Sequence, residues 1–195
     1  VGFTKILVST NVMVLNERRI RGLLLAGLTE LRLSIDAADG ETFELIRVGA
    51  KFERVLRNME ALYHIRTELG SPCRYRLHAA LHRNAFFQIP SFVRRWRHMI
   101  DCFTFTVAVN QGGLFSRDKA YSLSGFSFAV STDYQIPCRI LYNYIGVMWD
   151  GKMSSCCVDY SEEFVVGEVS SGLTNVFHNA RSRQLRKDHL HGRFG

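Results

Sequence analysis

Residues 137–159 read PCRILYNYIGVMWDGKMSSCCVD, a stretch that sets two of the chain's five cysteines at the two ends of a predicted hairpin. Seventeen residues separate Cys138 from Cys156, and between them the apolar run Tyr144 to Trp149 stops at Asp150-Gly151. An Asp-Gly step is a strong hairpin signal, because both residues accept the positive φ that a tight turn requires. The returning residues Lys152 to Cys157 are expected to bring Cys156 back near Cys138, so that two thiols converge. Cys157 then points to the opposite side if the strand continues, since side chains alternate across a strand.

Working outward, the totals describe ordinary globular material: 195 residues, 47% hydrophobic, mean hydropathy -0.03. That length suits one good core, or one domain and part of another. No apolar run approaches the roughly 18 residues of a membrane span, and no charged stretch leads into an apolar signal segment, so a cytoplasmic setting without a membrane is expected. An odd number of cysteines with one adjacent pair fits free thiols or metal ligation better than a secreted disulfide framework. The net charge of +7 is concentrated in Arg94, Arg95 and Arg97 around Trp96, and in the tail from Arg181 to Arg193. No nucleic-acid motif accompanies it; a solvated helix face plus a basic terminus is the preferred reading, and nucleic acid is not expected as a partner. The chain opens at Val1 in what reads as the middle of a fold, and a fragment is expected.

The first 109 residues alternate between strand and helix patterns. Lys5 to Ser9 suits a strand buried on both faces in a parallel sheet. Asn16 can cap a helix carrying Ile20, Leu23, Leu24 and Leu28, with Gly27 at its end. A strand at Glu30 to Ile35, a short helix at Glu41 to Arg47, and a long helix with Phe52, Val55, Leu56, Met59, Leu62 and Tyr63 on its apolar stripe follow. Gly70 and Pro72 stop that helix. A strand at Tyr75 to Leu81, a helix around Pro90 to Met99 and a strand at Phe103 to Val109 complete the series. Such βα repetition argues for an α/β fold with a parallel sheet or barrel, the chemistry lying at the carboxyl ends of the strands. Residues 110–136, rich in glycine and serine among aromatics, read as a linker, and 137–195 as a small module ending in a helix from about Asn175 to Lys187.

Pro137-Cys138, Asp150-Gly151, Cys156-Cys157, Asp159, Gly167 and the late Arg186, His189, Gly192 and Phe194 together resemble the C-terminal extension of radical SAM enzymes of the SPASM/Twitch group. The first half carries the same resemblance. Thr10-Asn11 is similar to a Thr-Asn-Gly turn with Val12 in place of the glycine, Ser34-Ile35-Asp36 to a Ser-x-Asp strand end, and Arg47 to Glu53 to an Arg-x-Gly-x-Phe segment opening the long helix. The resemblance implies part of a radical SAM (βα)6 partial barrel over 1–109, then an incomplete SPASM/Twitch-like module. The implied reaction is reductive cleavage of S-adenosylmethionine to a 5′-deoxyadenosyl radical that abstracts hydrogen from a small-molecule or peptide substrate. The electron donor would be of the flavodoxin or ferredoxin type. The Cys-x-x-x-Cys-x-x-Cys loop that binds the catalytic cluster is absent from the sequence, so this chain alone is expected to be inactive.

The resemblance implies Cys138 and Cys156 as ligands of an auxiliary 4Fe-4S cluster, half of the four thiolates that a cubane takes; a pair of buried free cysteines is the plain alternative. A structural zinc using these cysteines with His189 or His191 matches no usual spacing. Cys73 and Cys102 read as core or surface thiols. For S-adenosylmethionine the implied residues are Ser34 and Arg47, with Thr10 and Asn11 lining the same mouth. A capping serine, a surface ion pair and a polar turn are the respective alternatives. Asp36 is expected to accept from its own turn, Asn84 to stand near substrate, Trp96 to anchor a helix face, and Trp149 to pack near the cluster. The runner-up function is a non-catalytic iron-sulfur or zinc-binding module whose basic surface holds a partner such as RNA.

Overall fold

The computed structural model describes residues 3–81, 85–107, 138–157, 159 and 161–193, which fall into two compact units, 3–107 and 138–193. The expected linker at 110–136 and Asn84 lie outside the described residues.

The first unit is α/β. Strands β1 (Leu7–Thr10), β2 (Glu30–Ser34), β3 (Arg74–Leu81) and β4 (Cys102–Val107) form one parallel sheet in sequential order. Parallel neighbours need crossover connections, and here these carry α1 (Glu17–Leu25), α2 (Gly40–Ile46), α3 (Phe52–Glu68) and α4 (Ile89–Trp96). Local chemistry sets the helix ends. Asn16 Oδ1 accepts the Arg19 N–H at 3.0 Å and caps α1, and Asp39 Oδ1 caps α2 through the Thr42 N–H at 2.8 Å. In α3, Val55, Met59, Leu62 and Ile65 are buried at three- and four-residue steps. Tyr63, expected on that stripe, is 36% exposed, because Leu62 occupies the stripe and the next residue is turned about 100° around the axis.

The two faces of the sheet differ. Leu31, Leu33, Ile35, Tyr75, Leu77 and Ala79 join Ile20, Leu24, Val55, Met59, Phe92 and Trp96 of the helices in one core. The alternate residues Arg32, Ser34, Arg76, His78 and Thr104 are only half-buried and face away from it, with Glu30 fully buried among them. The expectation that the first strand is buried on both faces therefore fails. It starts at Leu7, lies at the sheet edge among the described residues, and leaves Ile6 45% exposed.

In the second unit β5 (Gly146–Val147), β6 (Lys152–Ser154) and β7 (Val165–Glu168) form an antiparallel sheet in that order, followed by α5 (Leu173–Phe177) and α6 (Ala180–Leu190). Its core is small: Met153, Val166 and Val176, with Ile145 and Leu185 packed against them. The single helix expected over 175–187 is interrupted. Asn179 is extended (ψ 172°), accepts the Ser182 N–H at 2.8 Å to cap α6, and donates Nδ2 to the Val166 carbonyl at 2.6 Å. Gly167 admits α5 against β7, since a Cβ there would stand 2.9 Å from a Val176 methyl.

Candidate functional site

Two sets of residues bear on function, one in each unit. At the carboxyl end of β2, Ser34 lies opposite His78 in the register, and His78 opposite Thr104. Two residues on, Asp36 is 3% exposed. It does not cap its own turn as expected: Oδ1 accepts the Ala80 N–H of β3 at 2.9 Å, and Oδ2 accepts from Arg47 Nε at 2.5 Å. The register explains this, because the Ser34–His78 pairing continues to bring Asp36 level with Ala80. Asp36 thus ties Arg47, which ends α2, to the strand end that carries Ser34. Thr10 Oγ1 accepts the Val12 N–H and Asn11 Oδ1 the Met13 N–H, each at 3.1 Å, so both side chains build the turn after β1. Val12 in that turn takes φ 69° with its side chain fully buried, and its carbonyl accepts from Asn58 Nδ2 at 2.8 Å.

The same sheet face holds residues that sequence reasoning passed over. Arg76 donates Nε to Glu30 Oε1 at 2.9 Å and Nη1 to Cys102 Sγ at 3.1 Å and Thr104 Oγ1 at 3.2 Å, while Lys5 Nζ stands 3.1 Å from Glu30 Oε2. The hydrogen bond from Arg76 holds the Glu30 carboxyl down to about 2, against the upward push of its burial. His78 Nε2 lies 3.0 Å from Thr106 Oγ1, and burial lowers its pKa. The signal for this face is the period-two alternation in ELRLSI (30–35) and RYRLHAAL (74–81), which sends Glu30, Arg32, Ser34, Arg76 and His78 to one side.

In the second unit, Cys138 is exposed and opens a 3-10 turn, Arg139–Tyr142, ahead of the hairpin. Arg186 of α6 holds that turn. Its Nε donates to the Leu141 carbonyl at 2.7 Å and its Nη2 to the Phe177 carbonyl at 2.8 Å, and the guanidinium lies 4.1 Å over the Phe177 ring. The Cys138 N–H donates to His189 Nδ1 at 3.5 Å. The hairpin forms at the Asp-Gly step: Gly151 takes φ 90°, Asp150 Oδ1 accepts the Lys152 N–H, and Gly146 pairs with Ser154. Trp149 falls beyond the last paired residue and is 96% exposed, so it packs against nothing near the cysteines. Past β6, Asp159 organises the loop that carries Cys156. It accepts from Ser154 Oγ at 2.8 Å and from the Glu163 and Phe164 N–H groups at 2.9 and 3.0 Å, and Ser154 Oγ accepts the Cys156 N–H at 3.2 Å. Cys138 lies before β5 across the Arg139–Tyr142 turn, and Cys156 lies just after β6.

Residues 138–193 match the family model of the SPASM iron-sulfur cluster-binding domain. No curated protein matches the chain. The SPASM match begins at Cys138 itself and takes in Cys156, Asp159, Arg186 and His189, so the second unit is similar to an iron-sulfur cluster-binding domain. The chemistry of the donors fits: Cys138 and Cys157 are exposed and Cys156 is half-buried, and thiolates are the ordinary ligands of such clusters. Among the described residues no group of three or more His, Cys, Asp or Glu side chains is gathered to hold a metal ion. Cys73 is fully buried, and burial pushes its thiol up. Trp96 anchors α4 in the core at 2% exposed. No helix among the described residues is long and apolar enough to cross a membrane.

Proposed function

We propose that this chain is part of a radical SAM enzyme whose SPASM unit holds an auxiliary 4Fe-4S cluster through Cys138 and Cys156. One observation carries the reading: an iron-sulfur-binding match over 138–193 stands in the same chain as a parallel sheet with a polar open face. SPASM domains occur in radical SAM enzymes. S-adenosylmethionine, when bound and reduced by one electron from a flavodoxin- or ferredoxin-type donor, supplies methionine and a 5′-deoxyadenosyl radical that takes a hydrogen atom from substrate.

The chain's own residues bind and orient. Ser34 offers a hydroxyl at the strand end, and Arg47, fixed through Nε by Asp36, keeps its side chain 37% exposed, so its terminal nitrogens would suit a carboxylate. Thr10 and Asn11 shape the neighbouring turn. The catalytic three-cysteine loop is not among the 195 residues, and in this reading another segment of the same polypeptide supplies it. The test is anaerobic incubation of the full-length gene product with S-adenosylmethionine and dithionite. Release of 5′-deoxyadenosine is expected. A protein that loads iron and sulfide but releases none is a non-catalytic iron-sulfur module.

A further inference from the structure

Arg32 has no part in the reading above, yet it stands on the open polar face beside Arg76, two residues before Ser34. Its side chain is 40% exposed, but Nε is shut off from water and has no hydrogen-bond partner among the described residues. A buried donor without an acceptor costs about 1–3 kcal/mol. The nearby carboxylates do not serve it. Glu30 is engaged by Arg76 at 2.9 Å and Lys5 at 3.1 Å, while Arg32 Nη2 stays 3.8 Å away, too far for a hydrogen bond. Both oxygens of Asp36 are taken by Ala80 and Arg47. Among the described residues Lys5, Arg32, Arg47 and Arg76 face Glu30 and Asp36, and Arg32 makes the longest of these ion pairs, at 3.8 Å.

Polar groups share the face: Ser34 lies about 7 Å along the same strand and His78 about 5 Å across from Ser34. A guanidinium with an open donor fork suits a planar carboxylate, which it can meet through two parallel hydrogen bonds. We propose that the polar face of the β1–β4 sheet holds a carboxylate against the Arg32 guanidinium, with His78 as a hydrogen-bonding partner. That this carboxylate belongs to the substrate rests on the radical SAM reading; that the face binds one does not.

The Arg32 Nε–H resonance of the full chain, assigned by its loss in Arg32→Lys, provides the test. Titration with N-acetylglycine should shift it saturably, whereas N-acetylglycinamide should not. Arg32→Gln should weaken N-acetylglycine binding roughly tenfold or more, with a thermal midpoint close to that of the parent. If that variant fails to fold, Arg32→Lys decides, since it keeps the charge, loses the fork and should bind several-fold more weakly. Undiminished binding in either folded variant overturns the proposal, as does a response to inorganic phosphate without one to N-acetylglycine. Displacement of N-acetylglycine by S-adenosylmethionine overturns the assignment to substrate, because the site is then that molecule's own carboxylate subsite. A chain that binds N-acetylglycine through Arg32 and never binds S-adenosylmethionine retains the carboxylate site and sinks the radical SAM reading instead.

Discussion

Val12 shows how a single side chain holds a backbone where glycine would sit more easily. A β-branched residue at φ 69° is a steric outlier, costing about 1–2 kcal/mol, and is retained here by full burial and by the Asn58 hydrogen bond to its carbonyl. Val12→Ala loses buried methyl groups and keeps the strained φ; Val12→Gly loses slightly more surface but removes the strain. Denaturant unfolding should therefore rank Val12→Gly as the milder change by about 1 kcal/mol, the reverse of the usual order. Glu30 is a second residue whose energetics can be read directly. Its pKa is lowered to about 2 by the Arg76 hydrogen bond, so its ionised form stabilises the fold in full above the unfolded glutamate value of about 4.3, and the contribution is lost as pH falls from there toward 2. Glu30→Gln should flatten the fall in stability over that window. An unchanged acid slope contradicts the assignment.

Among elements, the turn bearing Cys138 depends on α6 through Arg186. A lysine cannot reproduce two carbonyl hydrogen bonds and a stacked plane at once, so Arg186→Lys and Arg186→Ala should destabilise the second unit similarly, by about 2–3 kcal/mol, and both should lower iron loading. Rescue of loading by lysine counts against this role. The helices of the first unit were legible because their signals are local: the Asn16 cap and the Val55-Met59-Leu62 stripe lie within a few residues of what they fix. The hairpin was legible for the same reason at Asp150-Gly151. The break in the last helix was not, because Asn179 stops it by reaching Val166, thirteen residues back. The sheet-face residues were also missed. Alternation marks Arg32, Arg76 and His78 for one side, but only the register shows that they stand together there.

At the scale of the molecule the two units are unequal. The first buries an extended core of helix and strand residues, whereas among the described residues of the second the buried apolar side chains are Leu141, Met153, Val166 and Val176. A core so small rarely sustains a domain without a disulfide or a metal, and bound metal then contributes folding free energy directly. Iron-sulfur loading should accordingly raise the unfolding temperature of the second unit alone, and an iron chelator should lower it while leaving that of the first unit unchanged. The central claim is that Cys138 and Cys156 hold the cluster. Its most direct test is the iron and acid-labile sulfide content of the anaerobically reconstituted full-length gene product, compared across Cys138→Ser, Cys156→Ser and the control Cys73→Ser. The account predicts that each of the first two loses about one cluster's worth of iron and sulfide, and that the buried Cys73 variant keeps it. Full loading in Cys138→Ser and Cys156→Ser would contradict it.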